Sequence, residues 1–203
     1  MLKCSTSLWS ADLANLAADM KRVEPYSERF HLDVADGHYT KTMLFFPDLV
    51  KALRPHTKKP FEVHLMVTNP LDWIDPFVEA GADIILFCFD AAKDPGEMLR
   101  AIKARGRTAG FSLLITEPLE LAEPHWNDLE VLCIVGTAMG IKGASMEATV
   151  PDKIRQAKKI IRGAIPVSSP RPGAIFGYVL AGAKNFDWYS IRSPNQTCAQ
   201  RHD

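Results

Sequence analysis

The chain has 203 residues, of which 47% are apolar and 24% are charged, the proportions of an ordinary globular protein with a buried core. Its 24 Lys and Arg residues balance its 24 Asp and Glu residues, and no basic run stands out. This balance argues against nucleic acid or an anionic membrane surface as the partner, and it leaves room for a small phosphorylated ligand.

The four cysteines are scattered without a C-x-x-C spacing, and three of them lie in apolar, strand-like runs. Free cysteines in such runs act as small apolar residues, which favours a reduced, cytoplasmic protein. The N-terminus enters a short predicted strand directly after Met1-Leu2-Lys3, so we expect neither a secretory signal nor a membrane span.

Short apolar runs alternate with segments of helical spacing along most of the chain. In chain order, the predicted elements are a strand at 2–8, a helix at 10–23, a strand at 30–34, a loop at 35–44, a helix at 47–53, a strand at 61–67, a helix at 70–80 capped by Asn69, a strand at 84–89, a helix at 94–105, a strand at 108–114, a short helix at 117–122, a strand at 129–135 and a helix at 150–161. Such strand–helix units of roughly thirty residues predict a parallel α/β sheet, either an open doubly wound sheet or an eight-fold barrel.

Polar side chains that can bind a metal interrupt two of the apolar runs. His31 and Asp33 are two residues apart in one predicted strand, so both side chains point to the same face. His64 interrupts the next strand, and it reaches the same face if the two strands are parallel neighbours. Burying such groups is costly unless they are paired or coordinated. We therefore predict a metal site rather than three separate core or surface residues.

The polar candidates are spread over several strands, because Ser5 and Ser7 lie in the first strand and others lie in the second and third. A barrel draws its site residues from many strand ends, whereas an open sheet gathers them at one crevice. The spread therefore favours the barrel. No G-x-G-x-x-G follows the first strand, which argues against dinucleotide binding.

Several segments resemble the signatures of the ribulose-phosphate 3-epimerase family. They are the run from Lys3 to Asp12, His31-x-Asp33-x-x-Asp36-Gly37-His38, His64-Leu65-Met66-Val67-x-Asn69-Pro70, and Glu79-Ala80-Gly81-Ala82-Asp83. The likeness covers residues 2–161. It implies a (β/α)8 barrel of the TIM type, incomplete at its C-terminal end.

The resemblance implies metal-dependent epimerisation at C3 of a ketose phosphate, from D-ribulose 5-phosphate to D-xylulose 5-phosphate or a close relative. In the family, two His and two Asp hold a divalent metal, and the two Asp move protons on opposite faces of the substrate. His31, Asp33 and His64 match three of these ligands, and Asp33 matches one acid/base. A metal on the carbonyl and hydroxyl oxygens would stabilise an enediolate. Such ligands suit Zn, Mn, Fe or Co.

The same resemblance implies four substrate contacts. Ser7 matches a substrate-binding serine, and Met66 would pack against the planar intermediate, a structural core methionine being the alternative. Gly140 and Gly143 align with a glycine-rich loop whose backbone N–H groups would hold the phosphate. Lys142 would either add a charge there or lie in solvent. A homo-oligomer is a further implication, because family members commonly assemble.

The chain departs from the family beyond Arg162. Neither the strand with the second catalytic Asp nor the closing phosphate-binding strand is found there, so we predict a barrel region at 1–162 and a divergent or frameshifted tail at 163–203. The tail has apolar residues for one strand or short helix around Phe176 and Tyr178. Asp187 lies in a segment that does not resemble the missing motif.

These departures leave alternatives to an active epimerase. A catalytically impaired, truncated relative could serve as a binding or assembly protein. A related aldolase or decarboxylase would need a lysine at a strand end, and the predicted strands offer none. Ala35 and Leu114-Ile115 stand where the family has Met and Asn-Pro, so the pocket could also suit a related sugar phosphate.

Overall fold

The computed structural model describes residues 5–141, 146–164 and 174–178. The predictions on Lys142, Gly143 and Asp187 fall outside these residues, as does most of the predicted tail.

One sheet of eight strands organises the described residues. The strands are β1 (Ser5–Ser7), β2 (Arg29–Asp36), β3 (Met43–Leu44), β4 (Phe61–Met66), β5 (Ile84–Cys88), β6 (Thr108–Leu114), β7 (Val131–Val135) and β8 (Ala174–Tyr178). All pair in parallel except β3, which pairs antiparallel with the end of β2. Strand β8 lies where the tail was predicted to hold a strand or short helix.

Within the described ranges, five α-helices connect the parallel strands. They are α1 (Leu16–Val23), α2 (Pro47–Leu53), α3 (Ile74–Glu79), α4 (Pro95–Ala104) and α5 (Val150–Ala164). Helix α5 runs through the predicted boundary at residue 162, and a division of the chain there stays a prediction. No helix in the described ranges combines the length and apolar composition that crossing a bilayer requires.

Helix starts follow the local capping chemistry at some positions only. The Asp94 side chain accepts the N–H of Glu97 at the start of α4, as helix N-caps do. Asn69 is the N-cap residue of the segment that begins at Pro70, as predicted, but its side chain makes no capping hydrogen bond. The chain instead enters α3 through a 3-10 turn at Pro70–Trp73, in which the Asn69 carbonyl accepts the N–H of Asp72 at 3.2 Å.

Other boundaries differ from the sequence prediction for identifiable reasons. The loop predicted at 35–44 is shortened, because β2 continues to Asp36 and pairs with β3. The helix predicted at 117–122 is a 3-10 helix at Leu119–His125 that contains Pro124, which has no N–H to donate. The N–H of Leu129 donates to the carbonyl of His125 at 2.8 Å, so β7 begins only at Val131.

Two separate apolar layers lie on the two faces of the sheet. The outer layer contains the buried apolar residues of all five helices, packed on outward-facing strand residues such as Phe30, Phe61 and Phe111. The inner layer consists of strand and loop residues, among them Leu86 and Cys133. Cys88 and Cys133 are free and buried within it.

This arrangement decides between the open doubly wound sheet and the barrel. An open doubly wound sheet has helices on both faces and reverses its strand order. In the described part of this chain, the strands follow chain order and the helices pack on one face only. The loops after β2 and β7 also meet across the inner face, where Thr42 Oγ1 donates to the carbonyl of Gly140 at 2.7 Å. The sheet is therefore curved like a barrel, and the described strands form an open part of one.

Candidate active site

The parallel pairing of β2 with β4 brings the three predicted metal ligands together. Asp33 pairs directly with His64, and His31 lies two residues before Asp33, so all three point to the inner face. His31 Nε2 lies 3.1 Å and His64 Nδ1 lies 3.7 Å from the same Asp33 oxygen, Oδ1. At most 2% of any of these side chains is exposed.

The cluster fits the coordination chemistry of a divalent cation. One ligand atom from each of His31, Asp33 and His64 lies within 4.8 Å of the others. Zinc binds nitrogen and carboxylate oxygen at about 2.0–2.2 Å, which requires ligand atoms roughly 3–4 Å apart. Two imidazoles and a carboxylate also suit Mn, Fe and Co. The residues present could therefore hold such an ion with small movements.

Each histidine has its other ring nitrogen held by a neighbour. His31 Nδ1 lies 2.8 Å from Oε1 of Glu62, and His64 Nε2 lies 2.9 Å from the hydroxyl of Ser112. The Ser112 hydroxyl can in turn donate a hydrogen bond to the carbonyl of Phe87, at 3.5 Å. These partners leave His31 Nε2 and His64 Nδ1 facing Asp33.

The cluster is strongly coupled electrostatically. Burial alone lowers the pKa of His31, but the carboxylates of Asp33 and Glu62 raise it to about 10. Burial likewise opposes charge on His64, whose pKa is raised to about 9 by Cys88 and Asp33. Burial would raise the pKa of Asp33, and the two histidines overcome it and hold that pKa well below its ordinary value. Asp33 is therefore a carboxylate at neutral pH.

Two charged residues of this site were missed by the sequence analysis. Glu62 is fully buried beside His31, and Arg29 donates to its second oxygen at 2.8 Å. Glu62 lies two residues before His64, and Arg29 lies two residues before His31, so strand alternation puts them on the inner face. That spacing of two was visible in the sequence.

Ser7 and Met66 lie on the same face as the ligand cluster. The Ser7 hydroxyl donates to Oδ2 of Asp33 at 2.9 Å, so it contacts the predicted acid/base itself. Met66 is fully buried and packs with Ala35 and Cys88. Both residues could contact a substrate from these positions, and both could equally have a structural role. Their contacts with substrate therefore stay predictions.

The loops at the carboxyl ends of the strands form the mouth of the site. Asp36 accepts hydrogen bonds from the N–H groups of His38, Tyr39 and Thr68, each at 2.8 Å. Burial alone would raise the pKa of Asp36, but these hydrogen bonds lower it to about 2. Gly140 adopts a positive φ of 73° in the opposite loop. The mouth is thus held by specific polar contacts on the β2 side.

A sequence model of the ribulose-phosphate 3 epimerase family matches residues 3–168. The chain belongs to this family. Three relatives illustrate the extent of the similarity. The cytoplasmic isoform of ribulose-phosphate 3-epimerase from Oryza sativa subsp. japonica is 33% identical over 77% of this chain and 71% of its own. The Bacillus subtilis (strain 168) enzyme is 33% identical over 79% and 74%, and the Rhodobacter capsulatus enzyme is 29% identical over 95% and 90%.

Solved structures support the fold independently of the sequence signatures. A mutant tryptophan synthase alpha-subunit from the hyperthermophile Pyrococcus furiosus superposes with a TM-score of 0.58 over 78% of this chain and 76% of its own, at 17% identity. At that identity the likeness shows the fold alone. Together with the epimerase family, it confirms the (β/α)8 barrel type that the residue pattern predicted.

Proposed function

We propose that this chain epimerises C3 of a pentulose phosphate, converting D-ribulose 5-phosphate to D-xylulose 5-phosphate through an enediolate. The observation that carries the proposal is the Asp33 carboxylate, which lies on the family's signature strand, fully buried between His31 and His64. The three predicted ligands that are present lie together and are buried, which favours an active enzyme over an impaired relative that only binds or assembles.

In this proposal Asp33 removes the proton from C3 of the bound substrate. Its lowered pKa keeps it ionised and able to accept the proton, but the same shift makes it a weak base. Ser7 holds Oδ2 of Asp33 through its hydroxyl, and His31 holds Oδ1. The carboxylate is therefore fixed in direction when it meets the substrate. A second acid must then protonate the opposite face of C3.

A weak base requires that the substrate proton be made more acidic, which is the reason for proposing a metal. His31, Asp33 and His64 would hold a divalent cation, Zn, Mn, Fe or Co, which would stabilise negative charge on the substrate oxygens next to C3. Metal binding would displace a proton from each histidine, because imidazole binds metals in its neutral form.

The proposal also includes substrate contacts, a cellular location and an oligomeric state. Ser7 and Met66 would line the substrate beside Asp33, and Gly140, with Gly143, would lie near its phosphate. A cytoplasmic location and a homo-oligomeric state are proposed as well, the first supported by the scattered cysteines.

Proton exchange with solvent tests the proposed role of Asp33. The wild-type chain, supplied with Zn²⁺, Mn²⁺ or Fe²⁺ and D-ribulose 5-phosphate in D₂O, is expected to incorporate deuterium at C3, as followed by NMR. Asp33→Asn should reduce the exchange rate by about 10²–10⁴-fold, because it removes a general base. Asp83→Asn is the control, since that carboxylate binds Arg54 and the backbone of Phe61 at the start of β4. Exchange that is absent from the wild type, or unchanged in Asp33→Asn, would contradict the proposal.

A further inference from the structure

The Glu62 carboxylate has separate hydrogen-bond partners on its two oxygens. Oε1 accepts from the Ser5 hydroxyl at 3.1 Å and lies 2.8 Å from His31 Nδ1. Oε2 accepts from a guanidinium nitrogen of Arg29 at 2.8 Å. None of the Glu62 side chain is exposed, and only 11% of the Arg29 side chain is exposed. Such a network is costly to bury unless its hydrogen bonds are satisfied.

The direction of these bonds fixes the His31 ring. A guanidinium can only donate hydrogen bonds, so Arg29 requires an acceptor at Oε2. With both oxygens of Glu62 acting as acceptors, His31 Nδ1 must carry a proton and donate it. A cation that displaces the proton from His31 Nε2 can then bind the lone pair of this nitrogen, beside Asp33.

We propose that Glu62 is a positioning residue that holds His31 in the orientation and tautomer needed to bind a divalent cation through Nε2. Arg29 donates to Oε2 of Glu62 and so requires that this oxygen be a hydrogen-bond acceptor. This inference rests on the metal site of the proposed function. Ligating histidines commonly donate their second N–H to a carboxylate, which orients the ring and makes the ligand nitrogen more basic. His64 differs, because its second nitrogen, Nε2, faces the hydroxyl of Ser112 at 2.9 Å and Sγ of Cys88 at 3.6 Å.

A glutamine at position 62 gives the sharpest test because it has nearly the same shape. In Glu62→Gln, Arg29 binds the amide oxygen, and the amide NH₂ group then faces His31 Nδ1, where it opposes the Nδ1–H tautomer. Turning the amide would instead point its NH₂ group at Arg29. Either arrangement penalises the metal-bound form. In the double variant Arg29→Met/Glu62→Gln, the amide can turn its oxygen to His31 without this conflict.

The experiment measures Zn²⁺ affinity of the purified full chain by chelator competition at one fixed pH. Glu62→Gln is expected to weaken binding by about 10–100-fold, and the double variant should recover most of that loss. Glu130→Gln is the matched control, because Glu130 accepts the N–H of Ala109 in β6, two strands away from β4. Unfolding of each variant in EDTA separates lost metal affinity from lost stability.

The wild type supplies a second test that needs no variant. Nitrogen NMR of the zinc-loaded chain is expected to show a proton on His31 Nδ1 and the metal on Nε2. A proton on Nε2, wild-type affinity in Glu62→Gln, or equal weakening in Glu62→Gln and the double variant would overturn the inference. Failure of the wild type itself to bind Zn²⁺ would refute the metal site of the proposed function, and this inference with it.

Discussion

Asp33 receives its properties from the few groups that touch it. His31 and His64 face one carboxylate oxygen, and Ser7 donates to the other. Burial would favour the neutral acid, yet these partners keep the pKa of Asp33 low. The ionisation of Asp33 therefore depends on its neighbours, and the sequence pattern predicted only some of these neighbours.

The hydroxyl of Ser7 can serve Asp33, the substrate or both, and kinetics can tell these roles apart. If Ser7 mainly orients Asp33, Ser7→Ala should lower kcat by about tenfold or more with little change in KM, since hydrogen bonds to charged groups are worth ~1.5–3 kcal/mol. Ser7→Thr keeps the hydroxyl and should retain much of the rate. A raised KM with unchanged kcat in Ser7→Ala would show that the serine serves substrate binding alone.

The loops after β2 and β7 meet through a close contact at Gly140. Its φ of 73° is a left-handed conformation, and a Cβ added there would lie 2.8 Å from Thr40 Cβ. Glycine thus satisfies both a backbone and a packing requirement at the mouth of the site. This is a structural reason for the residue that is independent of any phosphate.

Gly140→Ala is expected to destabilise the fold by about 2–3 kcal/mol, through the positive φ and the clash with Thr40. Gly106→Ala is the matched control, because Gly106 has a φ of 71° but nothing within 4 Å of an added Cβ. It should cost only about 1–2 kcal/mol. Urea unfolding of both variants measures the difference, and equal losses would contradict the packing argument.

The grouping of His31, Asp33 and His64 and the element pattern could be predicted from the sequence because both follow local periodicity. His31 and Asp33 share a face by alternation, and parallel neighbours bring His64 to them. The partner of His64 could not be found in this way. Ser112 reaches it from β6, two strands away, and that contact depends on the curvature and stagger of the sheet rather than on spacing along the chain.

The predicted boundaries failed mainly where tertiary contacts or proline altered a local preference. The apolar run at 129–135 looks like a strand throughout, but Leu129 completes the turn from His125. The segment near Leu119 has helical spacing, but it forms a 3-10 helix that contains Pro124, which has no N–H to donate. Neither error affects the site, because the three predicted ligands lie within β2 and β4.

The curved sheet separates structural and chemical roles between its two faces. The outer face carries the helices and most of the apolar core, while the inner face holds Asp33 and its partners below the loops of β2 and β7. In the proposed reaction, Asp33 acts on one face of C3. Epimerisation additionally requires that C3 be protonated on its opposite face. Formation of the epimer therefore tests both proton transfers, whereas proton exchange tests only the first.

The most direct test of the account is conversion of D-ribulose 5-phosphate to D-xylulose 5-phosphate by the full chain, first stripped of metal and then reloaded with Mn²⁺ or Zn²⁺. We expect D-xylulose 5-phosphate to form only in the reloaded protein, and Asp33→Asn to lose nearly all of this activity. Absence of the product with each of these metals, or product formed equally by Asp33→Asn, would contradict the assignment of this site as a C3 epimerase.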